Sequence, residues 1–469
     1  MKLRIKNVEL RMKMSAILLT CLFLIPYSLF LITCSSDRSS QVTYSEDIAP
    51  LIYQHCTTCH RPESAGTFNL ITCEDVRKHA KQIELVTRSR VMPPWPADFN
   101  YAHYAGENYL SDEEIKLLKT WIDNGAPEGD EKKIPLPPLF TAGSMIGKPD
   151  LVVKMNEPFP IKSNNKDRFM MMKLPVELDQ DTFVKVIEIV PGNKKVVHHI
   201  NAHLVQYNPD QKKDITKGNK LVDTEIMDKQ EAFARLDLPN DDGSYPLLTP
   251  SVTNYLPGVV ASIYPQGIGG YKLSRKSVLL LDNIHYGPSP IDTSDQSTFN
   301  FFFMPSPPTR PTFEFILGTS GIAPVVPPLV IQPNTVRTFK TQYTLHQDMS
   351  LLTINPHMHL LGKSFLAYAI KPGGDTVRLI RINSWDFRWQ YFYNFKKMIY
   401  LPEGSTIYAE GTYDNTASNP NNPFDPPRVV AERNGSMRTT DEMFQLIVTY
   451  VPYKEGDENI SLETSDKSK

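Results

Sequence analysis

The chain has 469 residues, 41% hydrophobic and 22% charged, an ordinary globular balance on a length that suggests two or three domains rather than one. A formal charge of -2 and a pI near 6.6 leave no basic footprint, which argues against nucleic acid as a partner. With 39 prolines the chain reads as rich in loops and strands, not as a long helical bundle.

Lys2, Arg4, Lys6, Arg11 and Lys13 form a basic start, followed by an apolar stretch from Ala16 to Ile32, then Cys34 and a polar run from Ser35 to Gln41. That order predicts an export signal over residues 1–41, placing the rest of the chain outside the cytoplasm, in the cell envelope or periplasm. Leu31-Ile32-Thr33-Cys34 resembles a bacterial lipoprotein box, with Thr33 bulkier than the usual small residue. The resemblance implies lipidation of Cys34 and a membrane-anchored lipoprotein; the other reading is an uncleaved anchor helix.

Residues 42–128 read as helical. Ser45 is expected to cap a first helix carrying Ile48, Leu51 and Ile52, and Ser111 with Glu114 forms a capping box ahead of Ile115, Leu118 and Ile122. Gly125 and Pro127 end that helix, and residues 129–148 read as a linker. Five cysteines are present, at 21, 34, 56, 59 and 73, so no disulfide framework stands behind the Cys56/Cys59 pair. Cys56-Thr57-Thr58-Cys59-His60 is a C-x-x-C-H motif, whose thiols can add to haem vinyl groups while the imidazole reaches the iron. A redox dithiol and half of a zinc site are the other readings. No second cysteine pair exists for zinc, and the helical flanks do not suit a βαβ redox fold. Met92, stiffened by Pro93 and Pro94, is the expected sixth ligand, with His79 and His103 as substitutes. The stretch resembles small bacterial cytochrome c domains, which implies one covalently attached haem c. Cys73 reads as an ordinary buried thiol.

Beyond residue 150 the period changes to two, with strand-like runs at Phe183–Val190, Val278–Tyr286 and Phe444–Tyr450. A boundary near residue 312 gives two all-β sandwich domains, 149–312 and 313–455, ahead of a tail over 456–469 expected to be disordered. His198 and His199 are adjacent, and a bulge or strand end is needed before both can point the same way. His285 stands alone, His203 competes for the face of His199, and His357 and His359 flank Met358. Residues two apart on a strand share a face, so His357 and His359 can grip one metal, although an H-x-H is often only a pair of surface or core histidines. Met443 is expected to look out of its sandwich, beside Gln445 and Thr449 and opposite the apolar Phe444, Leu446 and Val448. A thioether added to two imidazoles favours copper.

Six segments then occur in one order: LPVELDQDTFVKV, VVHHI, YPQGIGGYKL, NIHYG, PHMHLLGK and DEMFQLIVTY. Together they make residues 149–453 resemble the copper type II, ascorbate-dependent monooxygenases, which include peptidylglycine α-hydroxylating monooxygenase and dopamine β-monooxygenase. The resemblance implies paired jelly-roll sandwiches and two copper ions. His198, His199 and His285 would hold the electron-transfer copper. His357, His359 and Met443 would hold the copper at which O2 and an unknown organic substrate meet, across an open, solvent-filled cleft. The implied chemistry is hydroxylation of a C–H bond, fed by an external donor such as an ascorbate-like reductant or a redox protein. His203 lies outside the matched motifs and is expected to be structural.

The chain departs from the peptide-hydroxylating members at Asn355, where they place a substrate-clamping arginine, and at Gln445 and Ile447. A C-terminal glycine peptide is therefore not the expected substrate. The expected protein is a small all-α cytochrome c domain fused to a two-copper monooxygenase, with electrons passing from haem to copper. The alternative is a non-catalytic copper- or ligand-binding module on an envelope cytochrome.

Overall fold

The computed structural model describes residues 41–140, 143–259, 261–433 and 438–463. The export segment, with Cys34, lies outside the described residues. Among the described residues no helix is long and apolar enough to cross a membrane.

Residues 44–123 carry most of the helix. A single π-helical turn at Tyr44–Ile48 leads into Ala49–His55, and Cys73–Lys78, Ala80–Arg88 and Asp112–Asp123 follow. Both ends of the expected capping box are made: Ser111 Oγ accepts from Glu114 N at 3.2 Å, and Glu114 accepts from Ser111 N at 2.7 Å. Thr72 and Asp75 form a second box. Ser45 caps nothing; it sits buried inside the first turn, which begins after Thr43. There the Asp47 carboxylate reaches back and accepts from the N-cap Thr43 N, and no side chain caps the N–H groups of the turn. Tyr44, Ile48, Ile52, Leu118 and Trp121 form the shared core of these helices. Cys73 is buried at its edge.

The remainder is mostly β-sheet, with one short helix at Lys229–Arg235, and its four large sheets pack as two pairs. In the first pair, the strands 151–154, 298–304, 182–190 and 271–273 lie in that order against 221–223, 168–177, 276–286, 197–206 and 247–248. Val184, Ile187, Phe299 and Phe301 from one sheet meet Leu174, Leu204 and Leu279 from the other. In the second pair, the order 313–318, 444–452, 349–358, 393–401 faces 336–344, 406–414, 362–370, 376–382. The Thr406–Asp414 strand alternates buried and half-buried residues along its whole length, as the period of two requires.

The Met349–Met358 strand is buried at every position. One face packs into its own sandwich. On the other, Thr353 meets the Tyr264 hydroxyl at 2.7 Å, from the loop that joins the 253–255 and 271–273 strands of the preceding sheet pair. The two sheet pairs are thus in contact along the strand that leads to His357.

The helical segment is docked rather than tethered. Asp98 accepts from Arg381 Nε and Asn383 at 2.8 Å each, Ala97 bridges Ile382, and Tyr104 donates to Leu379 O. Trp95 packs against Tyr104, Tyr391 and Tyr393. The tail also differs from expectation, because residues 456–463 are folded. Asp457 is buried, accepts both guanidinium nitrogens of Arg310 at 2.6 Å and takes the Ser350 hydroxyl, while Leu462 is buried against the second core. A charged, proline-poor ending gave no sign of this because its partners lie more than 100 residues away.

Candidate metal centres

The adjacent histidines converge through an irregularity in pairing. His199 pairs with His285, but Tyr286 pairs with Val197, leaving His198 as the extra residue of a bulge. The His198 and His199 rings then stand 4.7 and 4.9 Å from that of His285, both edge-on. Phe169 stacks on His285 at 4.3 Å. Gly287 follows the strand and leaves room for the ring: a Cβ there would lie 2.4 Å from His198 Nε2 and would force the imidazole to move.

Burial lowers the His198 pKa to about 4 and drives that of His199 well down, so both are neutral imidazoles with free lone pairs at neutral pH. Both ring nitrogens of His199, and Nδ1 of His285, are buried without a hydrogen-bond partner. Unsatisfied nitrogens on two adjacent, buried imidazoles suit a metal ion better than an apolar core. Asp167, which no sequence motif singles out, joins them with its Oδ1 2.6 Å from His285 Nε2. His203 is turned elsewhere, with Nδ1 on Thr249 O and Nε2 on Asp282.

The second cluster sits where two neighbouring strands end. His357 opposes Gln445 and Met358 opposes Phe444; the same register carried one step further sets His359 opposite Met443. The His357 and His359 rings are 5.1 Å apart, and burial lowers their pKa values to about 3 and about 4. His359 Nδ1 is held by the Asp441 carbonyl at 3.0 Å, which orients the ring. Glu442 ties the two strand ends together, accepting from the backbone N–H of His359, Leu361 and Met443. Met443 is only 4% exposed. It was expected to look outward, and alternation along its strand is right; the face it lies on is covered.

Phe387 separates the two clusters. Its ring centroid is 6.1 Å from His285, 6.4 Å from His199 and 5.7 Å from His359. An aromatic side chain thus stands between them, where an open cleft was expected. It comes from the loop 383–392, where the sequence carries no metal-ligand pattern. Asn355 is spent on structure, donating to Tyr391 O at 2.8 Å, and Gln445 donates to Thr319 O at 2.7 Å.

A cavity of about 1130 Å³ lies between the helical segment and the sheets. Cys56, Cys59, His60 and Met92 line it at one side, and His198 and Arg388 at the other. Cys56 and Cys59 are free thiols. Burial pushes Cys56 up to about 12 and raises Cys59 as well, the opposite of what a redox dithiol needs. No metal-binding group of His, Cys, Asp or Glu gathers at this pair among the described residues. His60 Nδ1 is engaged by Phe68 O at 3.1 Å, so Nε2 remains for a ligand. The cavity, the two thiols and this imidazole suit a haem. Gly258, at a φ of 82°, lets the first sheet pair close over the motif: a Cβ there would lie 2.8 Å from Cys59 Sγ. Of the substitutes for Met92, His79 stacks on Phe68 and exposed His103 pairs with Glu107. His55, overlooked in the sequence because it precedes the motif, also lines the cavity.

No curated protein matches the chain. Among solved structures, one of PNGF-II is similar at 9% identity over 64% of this chain, with a TM-score of 0.22. The chain spans 65% of that protein's length. A structure of infectious bursal disease virus, Gt strain, is similar at 10% identity over 66% of this chain and 81% of that one, with a TM-score of 0.15. Neither carries an argument at that score. Residues 317–425 match the family model described as copper type II ascorbate-dependent monooxygenase, C-terminal domain. The matched segment contains His357 and His359 and ends before Met443.

Proposed function

We propose that the chain is a copper-dependent monooxygenase with a fused cytochrome c domain. In this reading residues 42–128 form the haem domain, and 149–312 and 313–455 form the two copper-binding sandwiches. His198, His199 and His285 hold one copper; His357, His359 and Met443 hold the other. The observation that carries the reading is the convergence of His198, His199 and His285 in one set, and of His357 and His359 in another, around Phe387. The family match over 317–425 names the chemistry.

Copper bound there would supply the activation of O2, one oxygen entering a C–H bond and the other leaving as water at the cost of two electrons and two protons. The chain's own residues set the conditions. The Asp441 carbonyl fixes the tautomer of His359, and Glu442 locks the strand ends that carry His359 and Met443. Burial keeps the imidazoles of His198, His199, His357 and His359 from binding protons in competition with a metal.

His198 and the C-x-x-C-H motif line one cavity, which supports electron delivery from haem to the first copper. Export, with Cys34 as a lipid-bearing anchor to an envelope membrane, remains part of this proposal. So does an external reductant.

The test is a count of iron and copper per chain after haem maturation and copper loading, followed by reductant-dependent O2 uptake. One iron and two coppers, falling to one copper in His357→Ala, support the reading. Iron with no firmly held copper would leave a haem protein with inert sandwiches.

A further inference from the structure

The first histidine cluster contains an acid that neither the motifs nor the family match accounts for. Asp167 sits just before the Arg168–Glu177 strand, which pairs with the strand carrying His285. Its Oδ1 is 2.6 Å from His285 Nε2, and one donor atom each from Asp167, His198 and His285 lie within 4.8 Å of one another. Among the described residues this is the group of His, Cys, Asp and Glu that comes together tightly enough to hold a metal ion. His199 stands beside it, buried, with both ring nitrogens unpartnered.

We infer that Asp167 is a ligand of the first metal centre, giving it three imidazoles and a carboxylate rather than imidazoles alone. The inference rests on the copper reading of this cluster. The cluster's geometry does not pick out the three histidines as the tight set; it picks out two of them with Asp167. Phe169, two residues on, stacks on His285 at 4.3 Å, which anchors the start of its strand, and so the adjoining Asp167, beside that ring. The acid is half-exposed on its outer side and so can reach either His285 or a metal at the mouth of the cluster. The chemical consequence is specific. An anionic oxygen donor favours Cu(II) over Cu(I), because the harder ion gains more from it. The first centre is therefore the weaker oxidant of the two, compared with a second centre carrying a thioether.

The full chain with His357→Ala, haem-loaded and given one equivalent of Cu(II), isolates the first centre. In that background Asp167→Asn should weaken Cu(II) binding by about 10- to 100-fold. It should also change the Cu(II) electron paramagnetic resonance spectrum and raise the copper potential. Asp167→Glu should restore part of the affinity and the oxygen-donor signature. Unchanged spectrum and affinity in Asp167→Asn would overturn the inference while leaving the copper reading intact. Failure of the His357→Ala parent itself to bind Cu(II) would sink both.

Discussion

A Cβ built on Gly287 would stand 2.4, 2.7 and 2.9 Å from Nε2, Cδ2 and Cε1 of His198. All three contacts are with one imidazole, and the Gly287 N–H is held by Val196 O at 2.7 Å, so the backbone has no easy retreat. Gly287→Ala must therefore turn the His198 ring away from His285. Moving one half-buried ring should cost the fold only about 1 kcal/mol. Copper affinity at the first centre should fall by at least the ~10- to 100-fold expected for a disturbed ligand shell, or about 1.4–2.8 kcal/mol. The assay is competition for copper against a chromophoric chelator, with urea unfolding measured in parallel. In a His198→Ala background the added methyl meets no ring, so Gly287→Ala should there be silent, a coupling of about 1–3 kcal/mol. Wild-type copper affinity in the single variant, or equal losses in both backgrounds, would refute the placement of His198.

Three further predictions concern parts of the structure away from that ring. Burial pulls His203 down, but the half-buried Asp282 beside it outweighs this and holds the imidazole at about 9. A folded-state value above the usual His range contributes stability that is complete below pH ~6.5 and lost as pH rises through 9. Urea unfolding at pH 6 and 9 should show a decline of at most about 3 kcal/mol that His203→Gln abolishes without loss of copper. Asp457→Ala leaves Arg310 without its carboxylate and should cost about 3 kcal/mol, as should ending the chain at residue 455. Burial pushes the Glu442 carboxyl up to about 8 against the pull of three backbone N–H groups. Glu442→Gln turns an amide donor toward one of those N–H groups and should cost about 1–3 kcal/mol. Unfolding midpoints equal to wild type would remove Glu442 from its role between the ligand strands.

Much of the architecture was legible because it is written in local patterns. The Ser111 capping box and the period-two runs at 183–190, 278–286 and 444–450, which lie within the strands 182–190, 276–286 and 444–452, rest on interactions within a few residues that sequence spacing reports directly. The need for a bulge at His198 followed from geometry alone, since adjacent side chains on a regular strand point apart. Other readings failed where the partner is remote. Ser45 resembles a cap, yet the turn starts one residue earlier. The segment 456–463 looks like a loose end until Arg310 and Ser350 are brought beside Asp457.

The sequence by itself determined the donor inventory: two thiols and an imidazole at one place, and paired histidines at two others. It also determined the strands that carry them, because alternation decides which side chains share a face. Only the tertiary structure decided what each face meets. Met443 lies on a face that alternation makes polar, and packing of neighbouring segments covers it. Asp167 and Phe387 reach the histidines from 118 and 102 positions away along the chain, and no periodicity records such a meeting. Spacing fixes direction within a strand, but the identity of a neighbour across a fold depends on how whole sheets pack.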